Sequence, residues 1–310
     1  MREYYLPSDI RSADTIAVEK FSVPSVVLME NAAKNAAAEA VKLAGGIKKR
    51  FLALAGRGNN GGDAFAAVRH LLLAGCEEAV IVKTVSDESY SCDAKVNLDI
   101  LRRMTGNFPE NLKIYDSANL NDDDIFSLCN NADCIIDGLL GTGASGAPRG
   151  EIGRIIGLLK SFANVLSLDI PSGIDALTGT VYEPSVKAAV TSTFLAPKFG
   201  TAFAPARDYC GEVKVHDIGV PKSLLLPERP ALTEFERSDL HDMIPPLSRD
   251  IHKTNRGNLL IIAGSETYRG APLLTALGAL RAGAGIVYLA VPDVIAPYIS
   301  AELPEVIVIP

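Results

Sequence analysis

Arg50-Phe51-Leu52-Ala53-Leu54-Ala55-Gly56-Arg57-Gly58-Asn59-Asn60-Gly61-Gly62-Asp63 decides the fold: an apolar run meets a glycine- and asparagine-rich turn, and a helical pattern, GDAFAAVRHLLLA (62–74), follows at once. Such a run reads as a strand covered on both faces, the habit of parallel sheets. Four glycines and two asparagines in the eight residues from Gly56 to Asp63 are more than a tight turn needs. The plain alternative is such a turn, with Asp63 settling the start of the helix. The other reading is a backbone cradle, whose N–H groups and helix dipole hold phosphate without a cation. The pattern is neither G-x-G-x-x-G nor a Walker loop.

Outward from this stretch the strand–helix rhythm repeats. Strands are predicted at 50–55, 79–84, 112–115, 133–137, 164–169, 188–194 and 213–216, with helices at 62–74, 91–104, 121–130 and 150–162. That alternation specifies an α/β fold, a doubly wound parallel sheet in three layers. Two extra N-terminal helices precede it: SDIRSADTIAVEKF, capped by Ser8, and residues 24–44, ending at Gly45-Gly46. Prolines and charges from 219 to 250 predict a linker over 223–250, separating a domain of residues 1–222 from the beginning of a second α/β domain over 251–310. In the latter, NLLIIAG (258–264) and GIVYLAV (285–291) read as strands around a helix at 271–283. No second core is expected to close before Pro310.

Composition bounds the function. No apolar stretch approaches the roughly 18 to 20 residues of a membrane helix, and the N-terminus MREYYLPSDIRSAD is charged, so a cytoplasmic protein without a membrane partner is expected. A net charge of −7 argues against nucleic acid as a partner. The five cysteines form no C-x-x-C pair and read as buried thiols. His70, His216, His241 and His252 fit no Ser/His/Asp order and no H-E-x-x-H spacing.

Three more motifs leave predicted strands: Asp137-Gly138-Leu139-Leu140-Gly141-Thr142-Gly143-Ala144-Ser145-Gly146, Asp169-Ile170-Pro171-Ser172-Gly173-Ile174-Asp175, and Ala196-Pro197-Lys198-Phe199-Gly200. In a doubly wound sheet these strand ends converge, placing carboxylates, a hydroxyl, one lysine and backbone donors on one edge. The plain alternatives are flexible loops, a Pro-Gly turn and a solvated lysine; Asp175 reads as structural.

Taken with Leu28-Met29-Glu30-Asn31-Ala32-Ala33, these motifs resemble the NAD(P)H-hydrate epimerase family, the YjeF N-terminal domain, over residues 8 to 220. The resemblance implies a Rossmann-like fold, a homodimer or higher homo-oligomer, and a metabolite-repair isomerase that epimerises the R and S forms of hydrated NADH and NADPH. It implies that Asn59, Asn60, Gly61, Gly62 and Asp63, with Gly141, Thr142, Gly143, Ala144, Ser145, Gly146 and Ala147, bind the dinucleotide, and that Asp169 meets the hydrated nicotinamide. Asn60, Asp137 and Ser172 would bind a potassium ion, a hard cation suited to oxygen ligands. Ala64 departs from the glycine that often follows the aspartate, with little consequence expected. Asp169 as base or shuttle, and Lys198 as acid or charge partner, are the candidate catalytic residues.

Residues Lys253–Ser265, Gly270-Ala271-Pro272 and Arg281–Gly285 resemble the start of the ribokinase-like, ADP-dependent NAD(P)H-hydrate dehydratase, to which such epimerases are often fused. ADP or ATP would be its cofactor. Its late glycine-rich loop and catalytic aspartate are not among these residues, so dehydratase activity is not expected of this stretch. The competing readings are a catalytically inactive scaffold of the same family type that binds protein or RNA, a small-molecule kinase, and a conventional dehydrogenase. Decayed strand-end motifs would favour the scaffold, a complete C-terminal nucleotide loop the kinase, and G-x-G-x-x-G after the first strand the dehydrogenase.

Overall fold

Phe51, Ala53 and Ala55 pack into one apolar cluster while Leu52 and Leu54 pack into another, so the strand Arg50–Ala55 buries both of its faces. The computed structural model describes residues 1–90, 92–105, 111–244, 246 and 250–310, which divide into a unit Met1–Glu236 and a unit Arg237–Pro310.

The first unit runs β1 (Arg2–Tyr4), α1 (Pro7–Glu19), α2 (Ser25–Leu43), β2 (Arg50–Ala55), α3 (Asn59–Leu73), β3 (Glu78–Lys83), α4 (Cys92–Thr105), β4 (Leu112–Asp116), α5 (Asp122–Asn131), β5 (Cys134–Gly138), α6 (Gly150–Leu159), β6 (Val165–Leu168), β7 (Val190–Phe194), α7 (Ala206–Tyr209), β8 (Glu212–His216), α8 (Lys222–Leu225) and β9 (Leu232–Glu234). Seven strands form one parallel sheet in the order β4-β3-β2-β5-β6-β7-β8. Buried residues of α1 to α4 cover one face and those of α5 and α6 the other. The doubly wound three-layer architecture read from the strand pattern is therefore present. No helix among the described residues is long and apolar enough to cross a membrane.

Strand order reverses at β2, which has β3 on one side and β5 on the other. At such a switch point the loops leaving neighbouring strands diverge and open a crevice at the C-terminal edge. The backbones nonetheless touch at its root, where Gly56 N–H donates to Gly138 O at 3.0 Å. A Cβ on Gly56 would collide with the carbonyl of Leu139.

Helix α2 explains its own alanines. Ala32, Ala33, Ala36, Ala37 and Ala40 are buried, and their small side chains let α2 lie close to α3 and to β5, β6 and β7. Its motif Leu28 to Ala33 is structural: Met29 abuts Gly62, Glu30 pairs with Arg69 and His70, and Asn31 Nδ2 donates to Ile218 O at 3.0 Å. The helix ends as expected, with Gly45 at φ 76° and the Gly46 N–H on Val41 O at 2.9 Å.

Several boundaries differ from expectation. Leu6, not Ser8, is the N-cap of α1, because Pro7 is preset for the first helical position and Asp9 Oδ2 accepts the Leu6 N–H at 3.1 Å. Helix α3 starts at Asn59 rather than 62. The stretch read as linker contributes β9, antiparallel to β1, where the Tyr4 hydroxyl donates to Glu234 Oε2 at 2.7 Å.

The second unit holds α9 (Leu240–Met243), β10 (Asn258–Ile262), α10 (Gly270–Arg281), β11 (Ile286–Ala290), α11 (Ala296–Glu302) and β12 (Ile307–Ile309). Its three parallel strands lie in the order β10-β11-β12. Contrary to expectation a small core does close, with Ala276, Val287, Leu289 and Ile299 out of contact with water. Helix α11 supplies it, an element the sequence reading did not anticipate. Leu260 and Ile262 on β10 stay 57% and 80% exposed.

Two glycines should respond oppositely to alanine. Gly56→Ala should cost at least about 2 kcal/mol, because the obstacle is backbone. Gly157→Ala, an exposed position of α6 with open space around it, should gain about 0.5–1 kcal/mol from helix propensity. Denaturant midpoints would measure both.

Candidate active site

Beginning the helix at Asn59 puts Asn60, Gly61, Gly62 and Asp63 in the first turns of α3, where the Gly61 and Gly62 N–H groups donate to Gly58 O at 3.1 and 3.3 Å. The glycines here serve packing as much as any ligand. A Cβ on Gly61 would strike the Gly56 carbonyl, and one on Gly62 would meet Met29 Cε at 2.7 Å and Ala94 Cα at 3.0 Å. Gly58, the N-cap, and Gly143 face open space. The loop after β5, residues 141–147, is half-buried or exposed throughout, with Gly146 at φ 81°.

Asn60, Asp137 and Ser172 come together around the backbone of Leu140. Asn60 Nδ2 donates to Leu140 O at 2.8 Å and to Leu168 O at 3.1 Å. Ser172 Oγ donates to Asp137 Oδ1 at 2.6 Å and accepts the Leu140 N–H at 2.9 Å. The Asp137 carboxylate, wholly buried, also accepts from Ser167 Oγ (2.8 Å), Ser172 N (2.9 Å) and Leu139 N (3.3 Å). Burial raises its pKa, and these donors oppose the rise; among the described residues no Lys or Arg forms an ion pair with it. A buried carboxylate without a cationic partner, beside an amide, a hydroxyl and two carbonyls, is a donor set that fits a hard monovalent cation. Among the described residues no group of three or more His, Cys, Asp or Glu could hold a metal.

Asp169 and Lys198 form an ion pair where β6 and β7 end. Lys198 is 1% exposed, and its ammonium also donates to Thr193 Oγ1 at 2.7 Å and Phe194 O at 3.3 Å. Both strands leave the sheet through the same strained device. Ile170 N–H bonds back to Leu168 O around Asp169 at φ 64°, and Ala196 N–H to Phe194 O around Leu195 at φ 66°. A left-handed conformation is unfavourable for side-chain-bearing residues, and such γ-turns are rare, so the surrounding packing must hold them. The N-terminal segment helps: Tyr5 N–H donates to Pro197 O and Tyr5 O accepts from Phe199 N, bracketing Lys198.

Two further carboxyls share this field. Asp63 is nine-tenths buried; burial first, then repulsion from Asp169 and Asp14, drives its pKa well up, with Lys198 opposing. Asp14 on α1 is exposed, yet desolvation and then Asp169 push it up to about 6. Sequence reading missed Asp14, since only the fold brings α1 to this edge and no local pattern marks it. The candidate residues lie along the C-terminal strand ends of the parallel sheet. Two cavities lie elsewhere: one of about 440 Å³ lined by Arg2, Tyr4, Arg207 and Lys214, and one of about 210 Å³ at the N-terminal ends of β2 and β3. None of the candidate residues lines either.

The family model described as YjeF-related protein N-terminus matches residues 25–200, and one described as NAD(P)H-hydrate dehydratase matches residues 259–310. Among curated relatives, the bifunctional NAD(P)H-hydrate repair enzyme of Thermanaerovibrio acidaminovorans is 37% identical, over 99% of this chain and 58% of its own length. That of Moorella thermoacetica is 33% identical over 96% of this chain and 56% of its own. That of Methanothermobacter thermautotrophicus is 37% identical over 97% and 55%. The chain thus spans less than three fifths of the length of these relatives.

Two variants probe the geometry. Ser172→Ala removes one donor from the buried Asp137 carboxylate and the acceptor of the Leu140 N–H, and should cost about 1–3 kcal/mol by denaturant unfolding. Asp14 holds its proton more tightly folded than unfolded, so its contribution to stability is full below 3.8 and lost as pH rises through about 6. Asp14→Asn should therefore melt higher than wild type at pH 8, by at most about 1 kcal/mol given its exposure, and no higher at pH 3.

Proposed function

Because the chain belongs to the family of YjeF-related protein N-termini, we propose that residues 1–222 epimerise the R and S forms of hydrated NADH and NADPH. The observation that carries this reading is the buried Asp169–Lys198 pair on the same sheet edge as the N-terminus of α3. The N-terminal end of α3, with its helix dipole, and the loop Gly141 to Ala147 are suited to a pyrophosphate. In this reading the altered ring lies beside Asp169.

The hydrate carries its hydroxyl on the ring carbon next to nitrogen. Loss of that hydroxyl as water, assisted by the nitrogen lone pair and a proton donor, leaves a planar cation. Water returning to the opposite face inverts the centre, and a base takes the surplus proton. No electrons change hands, so a carboxylate and an acid suffice. In this reading Asp169 is the base and Lys198 the charge partner that orients it. Potassium, held by Asn60, Asp137 and Ser172, would supply a fixed charge beside the anionic dinucleotide. The homodimer belongs to the same reading. So does a repair role in which the second unit is associated with ADP- or ATP-dependent dehydration of the R and S pool, supported by the match over residues 259–310 and by the relatives' names.

Mixing the chain with purified S-hydrate should produce the R form, followed by NMR. Asp169→Asn should slow this by about 100-fold or more, and a near-wild-type rate would discard the residue. Replacing potassium by tetramethylammonium should lower both rate and melting temperature; if neither moves, the ion has no place in the site.

A further inference from the structure

Lys198 cannot readily supply the proton. An ammonium has three donors, and here they go to Asp169 Oδ1, Thr193 Oγ1 and Phe194 O, with the side chain sealed from water. Freeing one would break an ion pair or orphan a buried acceptor. The reaction still needs an acid on the same edge of the sheet.

Asp63 has the complementary character. It is 8% exposed, and no donor among the described residues is seen to bond its carboxyl. Its neighbours in the field are Asp169 after β6, Asp14 on α1, Asp93 on α4 and Lys198 after β7, three carboxylates against one ammonium already paired. Burial and these like charges push its pKa well up and favour the protonated form, and a protonated carboxyl is a donor. Its place in the first turns of α3 puts it at the helix end suited to the pyrophosphate.

We propose that Asp63 is the acid of the epimerisation, its carboxyl protonating the hydroxyl that leaves the hydrated ring, with Asp14 as a positioning residue that acts on it through charge. The assignment rests on the epimerase reading and deepens it. The O–H bond of Asp63 breaks as the departing oxygen takes the proton. The carbon–oxygen bond breaks with its electron pair on oxygen, giving water, and the nitrogen lone pair fills the vacancy on carbon. Water then adds from the other face, Asp169 takes its proton, and transfer from Asp169 to Asp63 restores the starting state.

The test follows S-to-R conversion by the full chain from pH 6 to 10, with the uncatalysed rate subtracted and binding of intact NADH measured alongside. Asp63→Asn should lose about 100-fold or more in kcat, with NADH binding within about threefold of wild type and melting temperature no lower. The wild-type rate should fall toward high pH, as Asp63 ionises. In Asp14→Asn that fall should begin at lower pH, since removing a negative neighbour loosens the proton on Asp63. Conversion by Asp63→Asn within about threefold of wild type overturns the assignment. Should that variant not fold, a wild-type rate that rises toward high pH, or a limb that Asp14→Asn leaves in place, overturns it instead. A wild-type chain that interconverts nothing overturns the functional reading and this assignment with it; an active wild type confines any failure to Asp63.

Discussion

A lysine and an aspartate held almost out of water, at the ends of two adjacent strands, set the terms for the rest of the first unit. Removing two charges from solvent costs several kcal/mol each, and the pair persists only if every remaining proton finds an acceptor. Thr193 and Phe194 meet that demand from β7, and Tyr5 fixes the backbone on either side of Lys198. Both strands leave the sheet through left-handed residues, a further cost of about 1–3 kcal/mol each. Strain and buried charge at one spot are tolerated when the arrangement itself is what selection retains.

Around this pair the molecule divides its carboxyls into two kinds. Asp137 is saturated by four donors and locks the loops after β5 and β6 together. Asp63 is buried to a similar degree with its neighbours mostly of its own sign. The first arrangement makes a rigid wall, the second a group that prefers to be neutral. One sheet edge thus offers an aspartate paired with a sealed ammonium and a second aspartate inclined to carry a proton.

The core strands were legible because burial on both faces leaves uninterrupted apolar runs, and β2 was read to the residue. The strand-end motifs were legible because glycine, proline and acidic residues do not otherwise follow such runs. Other features depend on contacts distant in sequence. Three-residue β1 and β9 have no period to detect, and each is a strand only because of the other. The start of α3 was placed three residues late because glycines discourage a helical reading, whereas here Gly61 and Gly62 are demanded by the Gly56 carbonyl and by Met29. Asp14 gives no local sign of its role, and the Leu28 to Ala33 motif, which helped mark the family, turns out to hold α2 in place.

The pairing of β1 with β9 has a consequence for biosynthesis. Tyr4 is bonded to Glu234, 230 residues further along the chain. The opening segment, which brackets Lys198, therefore leaves the ribosome long before the strand it pairs with exists. During translation those first residues must wait unpaired while the sheet assembles behind them. The strap is the last part of the first unit able to close, and a long-range contact of this kind is slow to form.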